Sequence, residues 1–313
     1  MAFVTSHSDL ADGVIAGDTR SLARAATLIE SQTAAARQLI AGLFSRTGHA
    51  TIVGITGPPG SGKSTLVDGL AKLVRKQGRS VGIIAVDPSS PYTHGAILGD
   101  RIRMQDHHDD PGVFIRSMAT RGRLGGLAQA TLDMALLLDA AGRDVVFVET
   151  VGVGQDEVEI ASLADVTVVV LVPGLGDDVQ AIKAGIMEVA DVFAINKSDL
   201  PGAERLEQEI RAMQSLGSDA QRDNAAPIRR VIAAESTGLE DLMEVVETVF
   251  EKRQRKGART ETWVIRLREL LRDSLMSSLS EEGLESHAQR VAMKLEDPYT
   301  AVDTLRNVII HGH

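Results

Sequence analysis

With 313 residues the chain is long enough to bury a full α/β core and to carry helical additions, without requiring two independent domains. A net charge of −10, from 33 basic and 43 acidic residues, argues against a nucleic-acid surface and against a polybasic membrane patch, and directs attention to protein partners. The absence of cysteine excludes disulfides, thiolate metal sites and a cysteine nucleophile, while the lack of a leader-like stretch over Met1 to Leu10 and of any apolar run beyond Val166 to Val172 leads us to expect a cytoplasmic protein with no membrane contact.

From Ser8 to Ala41 the chain is alanine-rich. Leu22, Ala25, Ala26 and Ile29 fall on one helical face, and Leu39 with Leu43 on a later one, so two helices are expected ahead of the main domain. Apolar strands then alternate with amphipathic helices. Strands are expected near 51–56, 80–86, 113–116, 144–149, 165–172, 191–196 and 228–233, and helices near 63–77, 124–141, 178–189, 203–215 and 238–255. Such alternation specifies an α/β fold with a doubly wound, mostly parallel sheet. The run Lys252 to Gly257 reads as a solvated linker, and Glu261 to Ile310 reads as entirely helical, with Asp297-Pro298 opening the last helix. The expected organisation is therefore an N-terminal helical segment (1–47), a nucleotide domain (48–256) and a helical extension (257–313) that is a candidate for self-association. Trp263, Ile265, Leu267, Leu270, Leu271 and Leu275 could equally pack within the chain.

Between the first strand and the helix after it lies Gly57-Pro58-Pro59-Gly60-Ser61-Gly62-Lys63-Ser64-Thr65, a P-loop in its proper strand-to-helix context. A glycine-rich turn lets backbone N–H groups converge on phosphate, and the helix N-terminus adds positive potential. Lys63 would reach the β- and γ-phosphates, and the Ser64 hydroxyl would ligate Mg²⁺. Far downstream, at the end of another apolar strand, stands Asn196-Lys197-Ser198-Asp199. An Asp199 carboxylate can accept from guanine's ring N–H and exocyclic amine, and adenine offers no matching donors. Lys197 would lie along the base, Asn196 would brace the loop, and Ala234-Glu235-Ser236 could offer backbone N–H to guanine O6.

Acidic residues at strand ends supply the metal side. Asp87 after the second strand and Asp100 beyond it are candidates, each with the alternative of an ordinary turn or loop carboxylate. Glu149 is better placed, because it ends the apolar strand Val145 to Val148 and precedes Thr150-Val151-Gly152, where Gly152 could donate to a γ-phosphate. Gln155 stands too far along for the water-positioning role that a glutamine next to such a glycine plays, so slow unassisted hydrolysis is expected. Arg116, Arg121 and Arg123 receive no role. Two rival classes are weighed. A small-molecule P-loop kinase would need a phosphoacceptor pocket. A nickel-insertion GTPase would need cysteine or clustered histidine, whereas the adjacent pair His107-His108 reads as solvent-facing.

Taken together, Gly57 to Thr65, Asp87-Pro88-Ser89-Ser90, Gly95 to Arg101, Glu149 to Gly152 and Asn196 to Asp199 resemble the MeaB/ArgK family of P-loop GTPases over roughly the whole chain. The resemblance implies a homodimeric G-protein chaperone of adenosylcobalamin-dependent methylmalonyl-CoA mutase, which uses GTP binding and hydrolysis to GDP to gate cofactor loading and protect the mutase from inactivation. It also implies that Lys63, Ser64, Asp87, Asp100 and Glu149 form the phosphate and Mg²⁺ site, and that the segment around Lys183 is a partner-responsive switch. Tyr92-Thr93-His94 departs from the small residues common there in the family.

Overall fold

The computed structural model describes residues 7–87, 107, 109–119, 126–150, 164–174, 189–215, 225–255, 258–276 and 278–311. The chain divides into two compact units, Met1–Arg259 and Thr260–His313.

The first unit is built on seven strands: β1 (Thr51–Thr56), β2 (Val81–Asp87), β3 (Val113–Ala119), β4 (Val145–Thr150), β5 (Val166–Leu171), β6 (Val192–Ile195) and β7 (Ile228–Arg230). Their order is β3-β2-β4-β1-β5-β6-β7, and every pairing is parallel. Helices cover both faces, so the central strands read as unbroken apolar runs rather than alternating ones, and β1, β4 and β5 are buried at every residue. Side-chain alternation still divides the two cores. Val53, Ile55, Val145 and Phe147 pack against α4 (Lys63–Lys76) and, later in the chain, Leu239, Leu242, Met243 and Val246. Ile52, Val146 and Val148 face the N-terminal helices and α5 (Gly126–Ala140). Toward the other edge, Val169, Leu171, Phe193 and Ile195 pack against α6 (Ala203–Ser215). The helix expected near 178–189 lies outside the described residues except at its end.

An aspartate just ahead of three strands satisfies a neighbour's leading N–H. Asp165 accepts from Ile52 N at 3.0 Å, Asp144 from Ser80 N at 2.6 Å and Asp191 from Thr167 N at 2.9 Å. Each N–H would otherwise lack a ladder partner at the sheet's lower rim. Burial pushes the Asp191 carboxyl pKa upward, and Arg253 opposes that shift by pairing with it. Arg253 belongs to the last turn of α7 (Leu239–Arg255), so most of the basic run read as linker is helix.

Three N-terminal helices form rather than two: α1 (His7–Ile15), α2 (Thr19–Glu30) and α3 (Ala34–Leu43). Gly17 turns the chain at φ 72°, and Asp18 caps α2 by accepting from Ser21 N at 2.8 Å. Leu22, Ala25, Ala26, Ile29, Leu39 and Leu43 join the core under α5, as the helical spacing of those residues requires. The connection into β1 is held by the Asp139 carboxylate on α5, which accepts from Gly48 N (2.5 Å), His49 N (3.1 Å) and Ala50 N (2.9 Å). β3 runs three residues further than expected, because Arg116 and Ser117 break the apolar signal at this edge; Arg116 pairs with Glu30 of α2 at 2.5 Å. β7 stops at Arg230, and Ala233–Glu235 turns as a 3₁₀ segment.

The second unit holds all but the first two residues of α8 (Ala258–Met276), followed by α9 (Glu281–Ala292) and α10 (Pro298–His311). Ser280 caps α9 through Gly283 N, and Asp297 caps α10 through Tyr299 N and Thr300 N. His287 Nδ1 and Glu296 Oε2 meet at 2.8 Å between these helices. Val264, Leu267, Leu271 and Leu275 lie exposed along one stripe of α8. Among the described residues no helix is long and apolar enough to cross a membrane.

Candidate nucleotide site

The site lies at the C-terminal ends of the parallel strands, where β1 gives way to the loop before α4. That loop needs glycine at two points for different reasons. Gly57 has φ 139°, and a Cβ there would fall 2.2 Å from the Val170 carbonyl of β5. Gly62 has φ 85°, and a Cβ would fall 2.5 Å from Asn196 Nδ2. Lys63 opens α4 and is buried, yet its amine remains hydrogen-bonded, donating to the Gly57 carbonyl at 2.8 Å and the Pro58 carbonyl at 3.1 Å. A buried ammonium without such acceptors would be costly. The loop thus curls around the Lys63 ammonium.

Ser64, one residue into α4, donates from Oγ to Glu149 Oε1 at 2.5 Å. Glu149 is the penultimate residue of β4, registered against Ile55 of β1 and Ala85 of β2, and it is buried. Asp87 ends the adjacent β2; its side chain lies outside the described residues, as do Asp100, Gly152, Gln155, Arg121, Arg123 and Lys183. Ser64 and Glu149 form an all-oxygen pair, the donor chemistry that a hard divalent cation takes. No group of three or more His, Asp or Glu that could hold a metal is present among the described residues.

Asn196 links three segments. Its Nδ2 donates to the Ser61 carbonyl at 2.8 Å and its Oδ1 accepts from Ala233 N at 3.0 Å, all of this buried. Lys197, at φ 52°, donates from Nζ to the Gly60 carbonyl at 3.0 Å. The P-loop, the end of β6 and the turn holding Ala234, Glu235 and Ser236 are therefore one hydrogen-bonded body. Ser236 takes φ 57°, which closes that turn, and Ile232 and Thr237 pair antiparallel at its base. Asp199 stands exposed beside this body.

One expectation is corrected nearby. His107 is not solvent-facing: it is 5% exposed, and its Nε2 meets Asp68 Oδ1 of α4 at 2.8 Å. Arg75, about two turns further along α4, grips Asp110 with two bonds at 2.8 and 2.9 Å and holds that carboxyl below the usual carboxylate range. Both contacts bind the chain ahead of β3 to the P-loop helix. Sequence spacing gave no sign of them, because the partners are 39 and 35 residues apart.

A family profile described as methylmalonyl-CoA mutase-associated GTPase MeaB matches residues 22–288. A Pyrococcus abyssi protein, provisionally named a GTPase, is 49% identical over 306 residues, which are 95% of this chain and 94% of that one. The GTPase ArgK of Escherichia coli is 46% identical over 187 residues, covering 58% of this chain and 56% of its own. A crystal structure titled LAO/AO transport system kinase covers 99% of both chains at 26% identity, with a TM-score of 0.74. Guanine-nucleotide binding and GTP hydrolysis accordingly describe this protein, and the chain belongs to the MeaB family of P-loop GTPases.

Proposed function

We propose that the chain is a GTP-driven chaperone of an adenosylcobalamin-dependent methylmalonyl-CoA mutase, gating cofactor loading and protecting the mutase from inactivation. The observation that carries this reading is the family match over residues 22–288, whose description names association with that mutase. The site supports it, since Asn196 joins the P-loop to the turn assigned to base reading, so that both ends of a bound nucleotide would meet one hydrogen-bonded body.

The reaction is GTP + H₂O → GDP + phosphate, with no covalent intermediate. Positioning and charge stabilisation do the work. Gly57 to Thr65 cradle the phosphates with backbone N–H groups, and Lys63 neutralises charge on the β- and γ-phosphates. Asp199 and Lys197 hold guanine, with Ala234, Glu235 and Ser236 completing the pocket around O6. Ser64, Glu149, Asp87 and Asp100 would hold Mg²⁺, directly or through its water, and the ion would supply charge neutralisation at the transferred phosphoryl group. Gly152 senses the γ-phosphate. With no glutamine beside it to orient water, hydrolysis alone is slow, and ordering by the mutase raises it.

The second unit serves self-association into a homodimer. Its exposed stripe of Val264, Leu267, Leu271 and Leu275 is the surface that a second copy would bury. Complex formation tests the partner assignment. In calorimetric titration against the mutase, affinity should differ between the GDP form and a non-hydrolysable GTP form; absence of binding in both forms would remove the mutase as client.

A further inference from the structure

On the face of the sheet covered by α5 and the N-terminal helices, β1 presents Ile52, Gly54 and Thr56, and β4 presents Val146, Val148 and Thr150. Ile52, Val146 and Val148 are core residues. At the top layer the chemistry changes. Thr56 and Thr150 are 2% and 3% exposed, and Thr150 Oγ1 donates to Thr56 Oγ1 at 3.1 Å. Valine has the same shape, the same strand preference and no hydroxyl to satisfy, so packing alone does not call for threonine at either position.

The location of this pair gives it a task. Thr56 immediately precedes Gly57, whose close approach to the Val170 carbonyl sets the direction in which the P-loop departs. Thr150 immediately follows Glu149, whose Oε1 accepts from Ser64 on the opposite face of the sheet. The β4 exit is therefore tied by side chains on both faces, to the last residue of β1 through Thr56 and to the first turn of α4 through Ser64. Without the threonine bond the end of β4 is still held by its ladder to β2 and β1 and by Ser64, but loses the side-chain tie that fixes its tilt on this face. We infer that Thr150, with Thr56 as its acceptor, is a positioning residue that holds the β4 exit in register with the P-loop, so that Glu149 keeps its place beside Ser64 at the proposed Mg²⁺ position while Gly152 serves the γ-phosphate. The inference rests on the proposed γ-phosphate role of Gly152.

The test uses the full chain with Thr150→Val, Thr56→Val, the double variant, Thr150→Ser and Gly152→Ala. Single-turnover GTP hydrolysis, GDP affinity and thermal midpoint are measured for each. Thr150→Val should lower the hydrolysis rate constant about tenfold while GDP affinity stays within about twofold, the signature of an interaction that matters after binding. Thr150→Ser, which keeps the hydroxyl, should restore the rate. The double variant should be no slower than either single one, because both remove the same bond. Wild-type hydrolysis by Thr150→Val beside a slow Gly152→Ala overturns the inference alone. A Gly152→Ala variant that hydrolyses normally removes the sensing role and the inference with it. Loss of rate, GDP affinity and thermal midpoint in step would make the pair merely structural and also overturn it.

Discussion

Replacing Asp133 with asparagine should stabilise the first unit at neutral and alkaline pH. Asp133 lies on α5 amid the packing of the N-terminal helices, and desolvation raises its pKa from 3.8 to about 6, with Arg37 pulling only weakly the other way. A carboxyl whose folded pKa is raised binds its proton more tightly in the native state, so stability falls as pH climbs from 3.8 toward 6 and stays lower above that. The shift corresponds to roughly 3 kcal/mol at pH 8 as an upper bound, and to about 1.5 kcal/mol at pH 5, where the native carboxyl is mostly protonated. Asparagine keeps the shape and never ionises. Asp133→Asn should therefore gain most at pH 8 and about half as much at pH 5. Urea unfolding followed by far-ultraviolet circular dichroism, at both pH values and without nucleotide, reads this directly. The single tryptophan, Trp263, lies in the second unit, so its fluorescence would report on the wrong body. An equal gain at both pH values, or destabilisation at pH 8, would refute the desolvation argument.

Asp139→Ala should cost about 3 kcal/mol, since it strips three backbone donors of one buried carboxylate; hydrogen exchange should speed first at residues 48–50. Ser64→Ala should lower Mg²⁺-dependent hydrolysis by at least about tenfold while leaving guanine selectivity intact, measured as rate against Mg²⁺ concentration. Asp199→Asn should weaken the preference for GTP by roughly 50-fold in competition with xanthosine triphosphate, and unchanged selectivity would remove Asp199 from base reading.

The parallel sheet was legible because its central strands are buried on both faces and read as continuous apolar runs. The P-loop was legible because strand, glycines, lysine and helix fall within one stretch of chain. Less visible were features in which polar residues do structural work. Arg116 hid the upper half of β3, because an edge strand can carry a charge that a helix on the same face neutralises. Gly17 and Asp18 divided what looked like one early helix, since a left-handed turn and a cap leave hydrophobic spacing undisturbed. At the site, residue types suggested phosphate and base binding, but the bracing by Asn196, the Ser64 to Glu149 contact and the Thr56 to Thr150 bond join residues 85 to 135 positions apart. No local pattern encodes such pairs; strand order and register do.

The central claim is best tested by GTP hydrolysis of the purified protein with and without an adenosylcobalamin-dependent methylmalonyl-CoA mutase from the same organism. Slow turnover alone and marked stimulation by the mutase is the predicted result, placing the missing catalytic order in the complex. Turnover that is unaffected by saturating mutase would contradict the chaperone reading while leaving the GTPase intact.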